Sequence, residues 1–460
     1  MTFRARALAG WTAALLGAAL LAAAETLLIY RAGPAVAVAL PFAAGVAAVI
    51  VWRPVYGVYV GILAVPLELL NLRVGGQAGL SPTEGVLLLT AAVAAARLIT
   101  GEVKAPHSAH LWFAGFLGVV LLGLFFAEDT FIVAKITVMW TAFLLVSMLV
   151  ANATRTELHG VLACLAVTGG VVGLIAITGT SDQELVGGGT IATNRAEGTF
   201  AHPNVLAFVM IMTIPVALVL ALEARTALVR VGYLIAAGLG VAGLMLSLSR
   251  GGLVGGAVAL IVLLAWPRFR RYAFALLTVF AVFAAFNLGS IQGSSELGLV
   301  GQRVGTLSSA AGDRSDPRFK IWRETPAIVR DRPLLGVGEG NYPVASPRYG
   351  IRDVGGHLYD HAHNLALTIA AETGLLGLLL FSAFVIAAGR AGASALRGRR
   401  ADVYPEALAI VAALTGLLVT SIGEYAPRTN VIMALILIEV GALVGYSRFA
   451  RQQVRARNVL

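Results

Sequence analysis

The chain consists mainly of apolar runs about as long as a lipid bilayer is thick, and this pattern constrains its fold more than any other feature. Hydrophobic residues make up 58% of the 460 residues, and charged residues make up only 13%. A transmembrane α-helix needs about 20 consecutive apolar residues, whereas a soluble domain has no use for so much apolar surface. The sequence therefore predicts an all-α polytopic membrane protein, folded as a single membrane domain over residues 1–460.

The apolar windows predict where the helices lie. They fall at roughly 7–30, 33–52, 54–70, 80–99, 110–127, 131–151, 158–179, 203–223, 229–248, 251–266, 272–290, 363–389, 404–422 and 429–447. The windows at 54–70 and 251–266 are short for a bilayer, so we expect about 12–14 transmembrane helices. The first window follows Arg4 and Arg6 as a signal peptide would, but no clear small-residue cleavage site follows it. We interpret it as a retained first span.

The basic residues lie mostly in short connections between the apolar windows. Arginine clusters occur at 268–271, at 390–400 and in the C-terminal tail. This distribution is the positive-inside pattern, and it accounts for the net charge of +10 without a nucleic-acid partner. We therefore expect both termini in the cytoplasm and the polar segments at about 180–202 and 291–362 on the outer face.

The loop at about 291–362 is the one long extracytoplasmic insertion, and we expect it to contain short helices and part of the active site. Asp316 followed by Pro317 is a helix-start signal. Arg318 and Trp322 are four residues apart, so they share a face of this helix. The basic side chains of the helix could bind phosphate or could form a solvated charged face: Arg318, Lys320 and Arg323.

The loop ends in a polar cluster at a membrane boundary, Asp360-His361-Ala362-His363-Asn364. If a helix begins at His363, its N-terminus disfavours the imidazolium and keeps the ring neutral, as a proton acceptor must be. Small residues then lie beneath the histidine and would let another helix pack closely: Ala366, Ala370, Gly374 and Gly377. Glu372 would lie on the opposite face, too far away to be the partner of His363.

Two alternatives apply to the same cluster. A plain helix-capping role for His363 and Asn364 is the first. A metal site is the second, with these possible ligands: His357, His361, His363 and Asp360. Because their spacing matches no strong ligand template, we expect no metal and no cofactor.

Two glycine-containing segments add to the pattern. Arg250 precedes the pair Gly251-Gly252 inside an apolar stretch that is too long for one helix. We expect the chain to turn back at this pair and to present Arg250 at the outer boundary, where it needs an anionic partner; the alternative is a snorkelling arginine. The alternate glycines between Pro333 and Asn341 lack a strand–turn–helix context, so they predict a tight turn and not a nucleotide-binding loop.

Together these segments resemble the O-antigen ligase and O-antigen polymerase superfamily of bacterial envelope glycosyltransferases. The resemblance covers about residues 190–385. It rests on short motifs in a characteristic order: Gly198-Thr199-Phe200 with Pro203-Asn204, Ser249-Arg250-Gly251, Arg318 with Trp322, the Pro333 to Gly338 run, His363-Asn364, and Glu372-Thr373-Gly374 with Gly377.

The resemblance implies metal-independent, inverting transfer of a glycan from a polyprenyl (undecaprenyl) pyrophosphate carrier to an acceptor sugar hydroxyl, on the outer face of the bacterial plasma membrane. It makes His363 the catalytic base and assigns Arg250 and Arg318 to the pyrophosphate. Supporting roles are expected for Asn364, Trp322, His361, Asn204 and Arg323. In a ligase the acceptor is the lipid A core oligosaccharide, and in a polymerase it is another lipid-linked repeat unit.

Ligases and polymerases share these motifs, and two other classes stay open on the sequence. A transporter would also be polytopic and could carry an intramembrane arginine, but it would not need a long outer loop with clustered histidine and arginine. A non-catalytic envelope scaffold would tolerate the loss of His363 and Arg318.

Overall fold

The computed structural model describes residues 34–68, 72–74, 78–104, 106–178, 195–200, 202–270, 272, 317–352, 358–397 and 403–459. The predicted span at 7–30 lies outside these residues, as does the one at 272–290 apart from its first residue. The first part of the predicted outer loop, at 291–316, also lies outside them.

The described chain is built almost wholly from α-helices. In chain order they are α1 (Pro34–Trp52), α2 (Pro54–Ala64), α3 (Pro82–Ile99), α4 (Ser108–Leu122), α5 (Thr130–Asn152), α6 (Arg155–Thr178), α7 (Pro203–Glu223), α8 (Ala227–Leu246), α9 (Arg250–Leu263), α10 (Pro317–Asp331), α11 (Tyr342–Ala345), α12 (Leu365–Leu396), α13 (Tyr404–Thr420) and α14 (Asn430–Val459). A small antiparallel hairpin, β1 (Leu72–Val74) and β2 (Ala78–Leu80), pairs Arg73 with Gly79.

The all-α polytopic prediction is confirmed. Within the described residues, eight helices are long and apolar enough to cross a bilayer, and four shorter apolar helices accompany them. Each of these helices falls on one of the predicted apolar windows, because the hydropathy of a sequence is enough to identify a membrane helix. One predicted helix start is wrong: the helix expected to begin at His363 is α12, which begins two residues later at Leu365.

Helix α7 is the centre of the bundle. It is the most apolar of the candidate spans among the described residues, and it is buried over nearly its whole length. Its residues are apolar on every face, so it can be surrounded by other helices on all sides. Helices α6, α8, α9 and α13 pack around it. This burial fixes the position of Asn204, the second residue of α7.

Glycines bring α9 against α13. A Cβ at Gly255 would lie 2.5 Å from the carbonyl oxygen of Gly416, so only glycine allows this approach. The turn between α8 and α9 is formed by Ser247 to Ser249, with Leu248 in the left-handed region at φ 50°. The prediction that the chain turns at Gly251-Gly252 is therefore wrong. Those glycines lie inside α9, where backbone hydrogen bonds are kept and close packing uses their small size.

Helix α12 is interrupted at Gly374, which has φ 69° and ψ −175°. The glycine-rich turn, residues 333–341, packs against α12 at this interruption. Val337 N–H donates to Ala371 O at 3.0 Å, and Gly338 N–H donates to Glu372 O at 2.8 Å. Leu375 N–H in turn donates to Pro333 O at 2.8 Å. Of the predicted small-residue face, Gly374 thus meets a turn, whereas Gly377 faces Phe116 of α4. The prediction of a tight turn is confirmed by positive φ values at Gly336, Gly338 and Gly340.

The connections between helices gather at two ends of the bundle. One end carries basic side chains that contact backbone carbonyls of neighbouring connections: Arg97 Nη2 reaches Trp52 O at 3.0 Å, and Arg448 Nη2 reaches Ala153 O at 2.8 Å. The other end carries the connection between α8 and α9, the connection after α13 and the segment before α12. We call it the histidine end, because it includes His363.

The positive-inside rule predicts that the histidine end faces away from the cytoplasm. In a variant lacking Cys164, Val344→Cys at the histidine end should react with an impermeant thiol reagent added to intact cells, and Thr156→Cys at the other end should not. Both positions are exposed, so accessibility depends on the side of the membrane. Labelling of Thr156→Cys alone would mean that the orientation is reversed.

Candidate functional site

A polar cavity lies at the histidine end, where α7, α9, α10 and α13 meet the segment before α12. Basic, acidic and hydroxyl side chains dominate its lining. The lining residues are Arg195, Asn204, Leu248, Ser249, Arg250, Gly251, Pro317, Arg318, Ile321, Tyr359, His363, Thr420, Gly423 and Glu424. The three residues for which the sequence predicts direct roles, Arg250, Arg318 and His363, therefore line one cavity, and Asn204, a predicted supporting residue, lines it with them.

Glu424 is the acidic group around which these side chains gather. Its side chain is only 5% exposed, and it lies in the short connection after α13. Its contacts are the following: Asn204 Nδ2 at 2.5 Å, Arg318 Nη2 at 3.3 Å, His363 Nδ1 at 2.9 Å, His361 Nε2 at 3.4 Å and the backbone N–H of Tyr425 at 3.3 Å. A buried carboxylate is stable only when it is paired and hydrogen-bonded in this way.

The ionisation of Glu424 follows from these contacts. Burial by itself raises the pKa of a carboxyl group. At Glu424 the hydrogen bond with His363, together with the electrostatic interactions with His363, His361 and Arg318, outweighs burial and holds the pKa well below its usual range. Glu424 is therefore a carboxylate at neutral pH and can only accept hydrogen bonds.

The backbone around His363 is held in an unusual conformation. His363 has φ 49°, a region that costs a non-glycine residue about 1–3 kcal/mol. Three contacts fix it: Trp322 Nε1 donates to Ala362 O at 3.0 Å and to His363 O at 3.3 Å, and His363 N–H donates to His361 Nδ1 at 3.0 Å. Strain of this kind is kept at sites where it aims a side chain.

The orientation of the His363 ring sets its chemistry. Because Glu424 Oε1 can only accept, the proton of this contact lies on Nδ1 of His363. The neutral ring then has an unprotonated Nε2, which can take a proton from a substrate. The carboxylate at Nδ1 also stabilises the imidazolium that such a transfer creates. His363 is half-buried, with 19% of its side chain exposed, so it remains accessible from the cavity.

Three arginine side chains and the N-termini of α7 and α9 lie at the cavity. Arg250 begins α9, whose N-terminal N–H groups face the same space, and Asn204 is likewise in the first turn of α7. The positive ends of two helices and guanidinium groups together favour a phosphate or similar anion. Among the described residues, the Arg250 side chain has no acidic partner. Its charge is therefore available to a ligand.

A buried layer lies behind Glu424. Tyr425 OH donates to Glu339 Oε1 at 2.8 Å, and the Tyr425 ring packs on His361 with centroids 5.7 Å apart. Glu372 Oε1 accepts from Tyr342 N–H at 2.9 Å and does not line the cavity, as expected from its predicted position away from His363. Burial raises the pKa of Glu339 to about 7, although its hydrogen bonds with Tyr425 and Glu372 oppose the rise.

The other predicted residues take supporting or distant positions. Asn364 is the N-cap of α12: its side chain accepts from Leu367 N–H at 2.9 Å and donates to Ile422 O at 2.8 Å. Trp322 clamps the His363 segment, as described above. Arg323 does not line the cavity, because its side chain is 75% exposed and pairs with Glu324.

Sequence reasoning missed Glu424, Arg195 and Tyr359. Glu424 is the acidic residue in a connection of a few residues between two apolar windows, and an acidic side chain in so short a turn was the signal that could have found it. Arg195 donates from Nη2 to Asn204 Oδ1 at 3.2 Å and from Nε to Ser247 O at 2.9 Å, which joins the 195–200 segment to α7 and to the turn before α9. Tyr359 packs edge-on against His363, with centroids 6.1 Å apart.

One group among the described residues could hold a metal ion. His361, His363 and Glu424 place three ligand atoms within 4.8 Å of one another. This set differs from the predicted alternative, since it includes Glu424, and His357 lies outside the described residues. The same atoms serve the hydrogen bonds that organise the cavity, so a metal here would replace those bonds.

The raised pKa of Glu339 predicts a pH dependence of stability. An unfolded glutamic acid titrates near about 4.3, so between this pH and about 7 the folded protein binds more protons than the unfolded chain. Stability therefore falls as the pH rises through this range. The melting temperature of the purified protein should decrease from pH 5 to pH 8, and Glu339→Gln should flatten the decrease while its amide oxygen still accepts from Tyr425.

Glu102→Gln is the matched control, because Glu102 is an exposed carboxyl, 60% accessible, far from this layer. It should keep the slope of the unmodified protein. A Glu339→Gln variant with an unchanged slope would contradict the assignment of this titration to Glu339.

Comparison with known proteins agrees with the motifs. The O-antigen ligase family model matches residues 235–382, which hold Arg250, Arg318 and His363. Among curated protein sequences, none matches significantly. A chain from the solved structure of a peptidoglycan synthase complex that coordinates polymerization and crosslinking is 16% identical, over 75% of this chain and 98% of that one, with a TM-score of 0.43. That similarity is too weak to support an inference. The match over residues 235–382 confirms the predicted resemblance to the O-antigen ligase and polymerase superfamily for that part of the chain.

Proposed function

We propose that this protein is a glycosyltransferase of the O-antigen ligase type, which moves a glycan from a polyprenyl pyrophosphate carrier to a sugar hydroxyl of an acceptor glycolipid. The observation that carries the proposal is the meeting of two guanidinium groups, Arg250 and Arg318, with the His363–Glu424 pair in one polar cavity at the histidine end of the helix bundle. A pyrophosphate leaving group and an attacking hydroxyl need these two kinds of group side by side.

The arginines act on the donor. Departure of polyprenyl pyrophosphate leaves negative charge on its phosphate oxygens, and guanidinium groups bind such oxygens in a forked, two-bond geometry. Arg250 is available for this contact, and the N-terminal N–H groups of α9 reinforce it. Arg318 already lies against Glu424, so a bound donor would hold the charge of Arg318 between phosphate and carboxylate.

His363 acts on the acceptor. Its Nε2 takes the proton of the acceptor hydroxyl as the hydroxyl oxygen bonds to the anomeric carbon, and the bond from that carbon to the pyrophosphate oxygen breaks. The proton ends on His363, the electron pair leaves with the pyrophosphate, and the anomeric configuration inverts. Glu424 keeps the ring oriented and stabilises its charged form.

A polymerase that joins lipid-linked repeat units fits the same cavity equally well, because both reactions use this donor and a sugar hydroxyl. The purified protein should be offered one defined lipid-pyrophosphate glycan with a lipid A core acceptor and with a second lipid-linked repeat, in separate reactions. Transfer to the core supports the ligase, and chain growth without core supports the polymerase. No transfer with either acceptor, by a protein that binds the donor, would argue against both.

Within this function, donor binding and turnover should separate by residue. His363→Ala should still bind the donor but lose about 10²–10⁴-fold in turnover, the usual contribution of a general base. Arg318→Ala and Arg250→Ala should lose donor affinity, and Arg318→Lys should also be impaired, because a point charge cannot replace a bidentate fork. Binding is measured with the purified variants, and turnover by single-turnover transfer.

Matched controls exist for both residue types. Arg323→Ala, five residues from Arg318 but outside the cavity, and His159→Ala, a half-exposed histidine beside Glu406, should behave like the unmodified protein. Normal turnover by His363→Ala would end the catalytic-base proposal. The reactions should also survive chelation of divalent metals; loss with a chelator and rescue by one particular metal would instead make His361, His363 and Glu424 its ligands.

A further inference from the structure

A second polar cavity lies at the end of the bundle opposite the histidine end, where Arg97 and Arg448 contact backbone carbonyls. We call this the basic end. The α1–α2 connection, the end of α3 and the α5–α6 connection meet there. The lining residues are Trp52, Arg53, Pro54, Val55, Arg97, Glu102, Val103, Leu149, Asn152, Ala153 and Glu157. None of them lines the cavity at the histidine end, so the two cavities are separate.

Arg53 brings an unused positive charge to this cavity. The other guanidinium group, that of Arg97, donates to Trp52 O at 3.0 Å and pairs with Glu102 at 3.4 Å. Arg53 lies over the Trp52 ring, 5.4 Å from its centroid, and no carboxylate of the described residues pairs with it. Arg53 is also the N-cap of α2 and makes no side-chain cap. A guanidinium beside an uncapped helix N-terminus favours a phosphate.

Glu157 brings an unused negative charge. Its Oε2 accepts from Thr154 N–H and from Thr154 Oγ1, both at 2.8 Å, which caps the start of α6. Within the described residues no basic side chain pairs with this carboxylate. The cavity therefore holds one cation and one anion that lack counter-ions, in addition to the balanced Arg97–Glu102 pair. A ligand that carries both charges satisfies both groups, whereas a simple anion would be repelled by Glu157.

The side chains around this cavity place it at the level of the lipid headgroups. Trp52 is 69% exposed, and tryptophan is enriched where a membrane meets water. The apolar side chains of Val51 and Ile99, near the ends of α1 and α3, are also largely exposed, as expected of residues that face lipid. A polar cavity at this level is accessible to the headgroup of a membrane phospholipid.

We propose that this cavity binds the headgroup of a zwitterionic phospholipid with a primary ammonium group, such as phosphatidylethanolamine, in the leaflet opposite the histidine end. The phosphate lies against Arg53 and the N-terminus of α2, and the ammonium group donates to Glu157. Phosphatidylglycerol offers the same phosphate but leaves Glu157 without a partner. Inorganic phosphate lacks both the ammonium group and the acyl chains. The proposal is independent of the transferase activity, because it uses no residue of the histidine end.

Native mass spectrometry of the full-length protein in detergent tests the site. Phosphatidylethanolamine should bind at least about tenfold more tightly than phosphatidylglycerol, and Arg53→Ala should weaken its binding at least about tenfold, because a charged hydrogen bond is lost. Excess inorganic phosphate should not displace it. Arg268→Ala is the matched control, because Arg268 is an exposed arginine at the same end that pairs with Glu223 and does not line the cavity.

Glu157→Gln tests the ammonium contact alone, since a glutamine oxygen still accepts from Thr154 and keeps the start of α6. It should weaken phosphatidylethanolamine binding and should not weaken phosphatidylglycerol binding, so the preference between the two lipids shrinks. Equal binding of both lipids by the unmodified protein would overturn the proposal. Displacement by inorganic phosphate would do so as well, because the occupant would then be a soluble anion. Lipid binding that neither variant weakens would place the lipid elsewhere.

Discussion

The site depends on one buried carboxylate. Glu424 is 5% exposed, and an ion so far from water is stable only because donors from several separate elements surround it. Asn204 comes from α7, Arg318 from α10 and His363 from the segment before α12. The carboxylate therefore draws together elements that are far apart in sequence, and it gives each donor a defined orientation. Removing it would leave three polar groups without their common partner.

Close helix packing makes this meeting possible. Gly255 and Gly416 let α9 and α13 approach each other until their backbones touch, which brings Arg250 at the start of α9 close to Glu424 just beyond α13. The interruption of α12 at Gly374 is stabilised by hydrogen bonds from the glycine-rich turn, and that turn carries Glu339 to Tyr425, the neighbour of Glu424. In both places glycine lets two backbone segments approach each other closely. The approach positions Arg250 in the first case and Glu339 in the second.

Hydropathy predicted the helices well, because the bilayer requires each span to be apolar along its own length. Arg250, Arg318, Asn204 and His363 were found because each belongs to a local motif. Glu424 was not, because its importance comes from a contact across 61 residues with His363, and the acidic side chain in a short connection is only a weak local signal. The start of α12 was misplaced for a related reason: His363 is held outside the helix by contacts from Trp322 and His361, which no local propensity contains.

The proposed mechanism requires Glu424 to hold His363 as a base, and Glu424→Gln tests this requirement most directly. An amide fills the same space but can donate to Nδ1 of the ring, which would place the proton on Nε2 and remove the acceptor. Single-turnover transfer by purified Glu424→Gln should fall by as much as about 10⁴-fold, the loss known when a histidine-orienting carboxylate becomes an amide, while the protein stays folded. A Glu424→Gln protein that transfers glycan at the unmodified rate would contradict the account.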